Sequence, residues 1–217
     1  LHDLVALGTI ADLAELRGEN RFYAQSGLLQ MNKDLRAAFS SILALSNRKN
    51  GAITENTIGF NIAPRLNSAG RLGDANENVH FLISEDEDYC DKFALNLEKF
   101  NDSRKSLVDA VYRSAKEMLE KEHLLSQRGT MILHKEGWHP GVLGIVAGKL
   151  TEEFSFPAIL LNDDNGIASG SARSIEEINI ISAIQENDAD LIRYGGHAMA
   201  AGLSIPINKL PDFFNGL

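Results

Sequence analysis

The fold is decided by residues 130–161, which have the sequence TMILHKEGWHPGVLGIVAGKLTEEFSFPAILL. Both ends of this stretch, 130–134 and 157–161, are short apolar runs bounded by turn-forming residues, a pattern typical of buried strands. Between them, apolar residues recur at the spacing of one buried helix face, namely Val142, Ile145, Val146 and Leu150. A strand, a helix and a second strand within about 30 residues predict a βαβ unit.

The residues that follow extend the same domain. Residues 175–186 predict a further helix, with Ser174 as its N-cap and Glu177 completing a capping box. Residues 200–207 predict another strand. We therefore expect the fold class α/β, with a small α/β domain over 126–217 whose sheet is mixed rather than purely parallel.

The residues that come before, from 23 to 125, are mostly helical in pattern. Residues 88–122 contain no glycine or proline and carry apolar side chains at helical spacing. Such a helix would be about 50 Å long, which favours a helical connector between two domains over a helix within a bundle. Residues 1–22 are expected to end the preceding domain. Because the chain opens inside an apolar segment without a methionine, we interpret it as a piece of a longer protein.

The composition limits the class of protein. The 217 residues are 44% hydrophobic and 24% charged, and no apolar run approaches the roughly 20 residues that span a bilayer, so no membrane contact is expected. Cys90 is the single cysteine and cannot form an internal disulfide, which suits a reducing cytoplasm. A net charge of −9 excludes gripping DNA with the whole surface, so any nucleic-acid contact must be a local basic groove.

Four glycine-bearing clusters are candidates for binding. In the first, residues 63–72, Arg65 and Arg71 flank Asn67 and a glycine, and the preceding Pro64 predicts a non-helical stretch. The planar guanidinium of arginine suits phosphate oxygens. The alternative is a surface loop with solvated cations.

The second cluster, residues 138–150, places Pro140 and Gly141 at a helix entrance, where free backbone N–H groups can hold an anion. Gly144 and Gly148 instead fit a helix packed closely on a sheet. The GxGxxG fingerprint of dinucleotide-binding folds is absent from the sequence.

The third and fourth clusters are ASGSARS at 168–174 and GGHAMAAGL at 195–203. In the third, Ser171 and Arg173 would make a compact phosphate contact. In the fourth, Gly195 and Gly196 allow the backbone to approach a ligand, and His197 follows at the place where a side chain can reach it. A packed structural histidine is the alternative.

Together, these clusters resemble the RecJ family of single-strand DNA exonucleases, within the DHH phosphoesterase superfamily. The stretch LVALGTIAD at 4–12 is similar to the last motif of the family's catalytic domain, RLNSAGR at 65–71 to its inter-domain motif, and the three later clusters to its DHH-associated domain. The resemblance therefore implies that 1–22 ends the DHH catalytic domain, that 23–125 is the helical connector, and that 126–217 is the DHH-associated substrate-binding domain. The family's Asp-His-His triplet does not occur in these 217 residues.

The resemblance implies a 5′→3′ exonuclease that hydrolyses single-stranded DNA with Mn²⁺ or Mg²⁺ in DNA repair and recombination, with other repair proteins as partners. Asp12 would be a metal ligand, with Asp3 as the runner-up, and His197 would contact the scissile phosphate. The strand would be held by Arg65, Asn67, Arg71, Ser171, Arg173, Gly195 and Gly196.

Two other functions stay open. With Asp12 as the single remaining ligand, the 217 residues alone are predicted to be inactive, so the chain would act as a nucleic-acid-binding module without hydrolysis. A DHH phosphodiesterase acting on short oligonucleotides or cyclic dinucleotides is the other alternative.

Overall fold

The computed structural model describes residues 1–46, 51–121 and 129–216. The chain divides into two compact units, Leu1–Arg104 and Lys105–Leu217. The predicted boundary between residues 125 and 126 and the predicted helix end at residue 122 lie outside the described residues. The proposed division into three domains therefore stays a prediction.

The described part of the first unit consists of helices around an apolar core. The elements before the long helix are α1 (His2–Ala11), α2 (Gly18–Lys33), α3 (Ala37–Leu45), α4 (Glu55–Thr57), a π-helical stretch (Ile58–Ile62), α5 (Ala63–Leu72) and α6 (Asn76–Ile83). The core is built from side chains that are entirely buried, among them Phe39, Ile42, Ile58, Ile62 and Phe81.

Helix α7 (Glu87–Lys121) runs for 35 residues and confirms the long helix predicted from the sequence. Its buried side chains recur every three or four residues, as one face of a helix requires. Cys90, Ala94 and Leu97 belong to the core of the first unit. Val108, Val111, Ala115 and Leu119 belong to a core of the second unit.

The second unit contains the predicted βαβ unit and a mixed sheet, which confirms the predicted fold class. Its elements are β1 (Met131–Glu136), α8 (Pro140–Phe154), β2 (Ala158–Asp164), β3 (Ile167–Arg173), α9 (Ile180–Glu186), β4 (Arg193–His197), β5 (Ala200–Pro206) and α10 (Leu210–Gly216). The strand order is β1-β2-β3-β5-β4. Strands β1 and β2 are parallel, and the other neighbours are antiparallel.

The two faces of this sheet are covered differently. Helix α8 packs on β2 and β3, where Val142, Leu143 and Val146 meet Leu133 and Leu160. The opposite face carries Ile159, Leu203 and Ile205 in a second core with residues of α9 and α10. All five residues of the edge strand β4 are exposed, so the sheet is left uncovered at this edge.

Two local predictions were wrong. The first cluster is not an irregular stretch but helix α5, which continues directly from the π-helical stretch Ile58–Ile62, so Pro64 follows a widened turn rather than a break in the helix. Helix α9 starts at Ile180 rather than Ile175. Its N-cap is Asn179, whose side chain accepts the N–H of Ser182, while the Ser174 hydroxyl donates to the Ile178 carbonyl and forms no capping box.

Candidate functional site

The register of β3, β5 and β4 brings the third and fourth clusters onto one face of the sheet. Residues paired across strands share a row, and every second residue along a strand points to the same face. The three rows on this face are His197–Ala200–Arg173, Gly195–Gly202–Ser171 and Arg193–Ser204–Ser169. We call these nine residues the open face. Strand β3 and the β4–β5 pair, which are 20 positions apart in the chain at their nearest ends, thus form one surface.

A hollow of about 390 Å³ lies on the open face. It is lined by Pro140 at the start of α8 and by residues 169–171, 193–195 and 202–204. The second cluster therefore meets the third and fourth at this hollow. At the helix entrance, one N–H group is already satisfied, since the His139 ring accepts the N–H of Gly141 at 3.1 Å.

Arg173 is fixed between its strand and helix α8. Its Nη1 donates to the Ala172 carbonyl at 2.8 Å. A Cβ atom at Gly144 would lie 2.9 Å from Nη2 of Arg173 and 3.3 Å from the Ser171 hydroxyl. The predicted close packing of this helix on the sheet is thus confirmed, and the room left by Gly144 is taken by the guanidinium. Arg173 is half-buried, so its charge is held in a defined position.

The two adjacent glycines of the fourth cluster have different roles. Gly196 has φ of +152°, and a Cβ there would collide with the Ala200 carbonyl and lie 2.5 Å from the Ala201 Cα. It therefore serves the pairing of β4 with β5. A Cβ at Gly195 would meet no atom within 4 Å and would project from the open face. Gly195 keeps this surface flat where a ligand would lie.

His197 is exposed at the end of β4 and pairs with Ala200, which separates it from Arg173 in the same row. Two strand spacings place the Cα atoms of His197 and Arg173 about 10 Å apart. The small side chain of Ala200 leaves the space between them open. An exposed position does not fit the alternative of a histidine packed in an apolar core.

The third row contains residues that the sequence interpretation missed. Ser204 is buried, and its hydroxyl accepts hydrogen bonds from Ser169 Oγ at 2.8 Å and from Arg193 Nε at 3.1 Å. These residues lie two positions from Ser171, Gly195 and Gly202 in their strands. Strand alternation would have identified them if β3 and β4 had been recognised as strands.

The first cluster, which lies in the first unit, is divided between two environments. Arg65 is buried, forms an ion pair with Glu98 and donates from Nη1 to the Asn61 carbonyl at 2.7 Å. Its guanidinium thus already has protein acceptors, which does not favour the predicted role in gripping DNA. Asn67 and Arg71 are exposed on α5 and line a hollow of about 400 Å³.

A second guanidinium of the first unit lies near Arg71. Burial, and after it the positive charge of Arg71, lowers the pKa of Arg104 below its ordinary value. Arg104 donates from Nη2 to Asn101 at 3.0 Å, while its buried Nε has no hydrogen-bond partner among the described residues. The guanidinium groups of Arg71 and Arg104 are therefore close enough to influence each other.

The two candidate metal ligands differ in environment. Asp3 is buried, and both of its carboxylate oxygens accept hydrogen bonds from Arg36. Burial alone would raise the pKa of Asp3, but the hydrogen bonds and charge of Arg36 outweigh burial and lower it. Asp12 is exposed at the end of α1. In residues 1–46, 51–121 and 129–216, no group of three or more His, Cys, Asp or Glu side chains could hold a metal ion.

Comparison with known proteins gives consistent results. Residues 126–217 match the family described as DHHA1 domain. The chain is 40% identical to the single-stranded-DNA-specific exonuclease RecJ of Bacillus subtilis over 98% of this chain and 27% of that protein. It is 34% identical to RecJ of Haemophilus influenzae over 98% of this chain and 38% of that protein.

Solved structures agree. Crystal structures of Thermus thermophilus RecJ in complex with Mg²⁺ and with Mn²⁺ match with a TM-score of 0.84 and 30% identity. The match covers 99% of this chain and 33% or 31% of those chains. The chain thus spans less than two-fifths of the length of these relatives. No helix within the described ranges is long and apolar enough to cross a membrane.

Proposed function

We propose, because this chain belongs to the RecJ family, that it forms the strand-holding part of a single-stranded-DNA-specific exonuclease. The open face of the second unit would hold the DNA. The observation that carries this proposal is the convergence of three separate sequence clusters on one hollow, beside a fixed arginine and an exposed histidine.

The chemistry of the open face suits a sugar–phosphate backbone. Ser171 and Arg173 offer a hydroxyl and a guanidinium, which bind phosphate oxygens through charge-assisted hydrogen bonds. Gly195 and Gly202 carry no side chain, so a strand can lie close to the sheet. Contacts of this kind recognise phosphate rather than base edges, which agrees with binding that tolerates any sequence.

In the first unit, Asn67 and Arg71 are our candidates for further contacts with the strand. Arg65 is left out of this set because Glu98 already binds its guanidinium. The local placement of these cations also accommodates the net charge of −9, since a focused groove does not need a basic protein.

Hydrolysis would need residues beyond those described. Bound Mn²⁺ or Mg²⁺ supplies charge stabilisation and an activated water in phosphodiester hydrolysis. Of the two acidic residues assigned by resemblance, Asp12 is exposed and fits a ligand role, whereas Asp3 is held by Arg36. One carboxylate does not make a metal site. His197 would donate to a phosphate oxygen, which helps most when charge develops there.

On the same basis we propose 5′→3′ polarity, a role in DNA repair and recombination in the cytoplasm, and repair proteins as partners. These properties rest on membership of the family.

Binding and cleavage by the 217-residue chain test the proposal. Fluorescence anisotropy with a labelled dodecathymidylate should detect binding that weakens with salt, and a duplex of equal length should bind less well. With Mn²⁺ or Mg²⁺ the same chain should release no nucleotides. Absence of binding to the single strand at low salt would contradict the strand-holding role, and EDTA-sensitive release of nucleotides would contradict the assignment of ligands.

A second candidate function is hydrolysis of short oligonucleotides or cyclic dinucleotides. The volume of the hollow, about 390 Å³, lies in the range of small-ligand sites and favours this candidate. Competition distinguishes the two. If a cyclic dinucleotide displaces the labelled dodecamer as well as an unlabelled dodecamer does, the smaller substrate class is correct.

A further inference from the structure

We infer that Arg193, held in place by Ser204, contacts a second phosphate of the bound strand, one that His197 and Arg173 do not reach. The DNA would then run along β4 across all three rows of the open face. This inference rests on the proposed function and adds to it Arg193 as a contact residue and the direction in which the DNA crosses the sheet.

Ser204 anchors the side chain of Arg193. Ser204 is only 4% exposed, and its hydroxyl accepts from both Arg193 Nε and Ser169 Oγ. This arrangement restrains the guanidinium at its inner nitrogen. In the described part of the chain, its two Nη groups make no hydrogen bond or ion pair. They remain able to bind both oxygens of a phosphate.

The positive charge of Arg193 is available to an anionic ligand. Arg193 is anchored by a neutral hydroxyl, so its positive charge is not compensated. Arg65 provides the contrast, because its ion pair with Glu98 neutralises it. An exposed arginine that is already oriented loses less side-chain entropy when an anion binds than a freely rotating one. The anchoring by Ser204 therefore favours anion binding.

Arg193 and His197 lie far apart along the same strand. Arg193 and His197 are four residues apart in one strand, which corresponds to roughly 13 Å. Ser204, the cross-strand partner of Arg193, holds the guanidinium within its own row, so it is directed away from the phosphate that His197 would contact. Between Arg193 and His197 lie Gly195 and, across from it, Gly202, neither of which has a side chain. A strand can therefore pass from one row to the other without obstruction.

The length of the DNA provides the test. Arg193→Ala should weaken binding of a labelled dodecathymidylate by about fivefold to tenfold, and should reduce the slope of log affinity against log salt by about 0.7, as for one lost phosphate contact. The same variant should leave the affinity of a 5′-phosphorylated dithymidylate, measured by competition, within twofold of wild type. Arg173→Ala should weaken the binding of both the dodecathymidylate and the dithymidylate.

The controls separate charge from anchoring. Arg113→Ala removes an exposed arginine of α7 in the same unit and should change neither affinity. Arg193→Lys should retain the salt slope but lose part of the affinity, because a lysine keeps the charge and lacks the fork. Circular dichroism should be unchanged in each variant, and Arg193→Gln, which also removes the charge, replaces Arg193→Ala if the latter does not fold.

The outcomes are distinguishable. Wild-type affinity of Arg193→Ala for the dodecamer would overturn the inference, and so would an equal loss for both lengths. If the wild-type chain fails to bind the dodecamer, the proposed function itself is wrong.

Discussion

Two arginines of the first unit differ in their acceptors from Arg193 in the sheet of the second unit. Arg36 and Arg65 each bind a carboxylate, of Asp3 and Glu98 respectively. Arg193 binds the hydroxyl of Ser204 instead. A guanidinium with a carboxylate partner is neutralised and contributes to stability. One with a hydroxyl partner is oriented but keeps its charge, and is therefore available to an anionic ligand.

This comparison also shows why a motif rich in arginine does not identify a binding site by itself. In helix α5, Arg65 and Arg71 are six residues apart and lie in different environments, one buried and one exposed. In β3 and β4, alternate residues share one face, so the strand pattern concentrates Ser171, Arg173, Gly195 and His197 on one surface. The role of each arginine therefore depends on its hydrogen-bond acceptor and on the face of the helix or strand on which it lies.

The largest expected effect is on the ion pair of Arg65. Glu98→Ala should lower the free energy of unfolding by about 3–5 kcal/mol, because it leaves a buried guanidinium without its carboxylate. Urea unfolding measures this change. Glu117→Ala, on the exposed side of the same helix, is the matched control and should cost less than about 0.5 kcal/mol.

Arg65→Ala completes this test. It should reduce stability while leaving the salt slope of DNA binding as in wild type. Loss of DNA affinity with full stability would mean that Arg65 grips the strand after all.

The adjacent glycines offer the next largest effect. Gly196→Ala should destabilise the protein by about 2–4 kcal/mol, because the methyl group collides with β5 and the backbone conformation disfavours a side chain. Gly195→Ala should change stability by less than about 0.5 kcal/mol, since its methyl group meets open space.

For DNA affinity, in contrast to stability, the substitution of Gly195 is expected to have the greater effect. Gly195→Ala places a methyl group on the open face and should weaken binding of the dodecathymidylate several-fold, while the protein remains folded. Thermal unfolding and anisotropy on the same samples measure both properties. A Gly195→Ala variant with wild-type affinity would mean that the strand does not approach this row.

The sequence was sufficient for the elements that have strong patterns. The βαβ unit and helix α7 were predicted because their apolar residues recur at the periods of a strand and a helix. Strands β3 and β4 were missed, since IASGSAR and RYGGH have few of the β-branched and aromatic residues that mark strands. Without those strands, Arg193 could not be placed beside Ser171 and Gly195.

The partner of Arg65 could not be predicted for a different reason. Glu98 is 33 residues away in another helix, and only the tertiary packing of α5 against α7 brings the two together. Local patterns report the face on which a residue lies, but not the opposite charge that a distant helix supplies. For this reason the sequence assigned Arg65 to DNA binding and did not identify Arg193.

Arg173 gives a moderate effect that sharpens the contrast with Arg65. Arg173→Ala should weaken single-strand binding about tenfold across different sequences and reduce the salt slope by about 0.7, because one phosphate contact is lost. Anisotropy at several salt concentrations, with oligonucleotides of different base composition, measures both. A loss that depends on the sequence would indicate base recognition rather than phosphate binding.

The smallest effect concerns the second ion pair of the first unit. Because Arg36 lowers the pKa of Asp3 below its ordinary value, the ionised carboxylate stabilises the folded state above that ordinary value, and this contribution is lost as the pH falls through the lowered pKa. Urea unfolding of wild type and Asp3→Asn should therefore give a difference in stability that shrinks by about 1 kcal/mol between pH 7 and pH 3.

Arg36→Gln tests the cause of this pH dependence. Without Arg36, Asp3 loses the two strongest influences that lower its pKa while burial still acts to raise it, so its pKa moves up and protonation costs the folded state less. The stability lost by Arg36→Gln should be greatest near neutral pH and should decrease as the pH falls. A loss that stays constant from pH 7 to pH 3 would mean that Asp3 and Arg36 do not act as a pair, and the contrast with Arg193 would then rest on Arg65 and Glu98 alone.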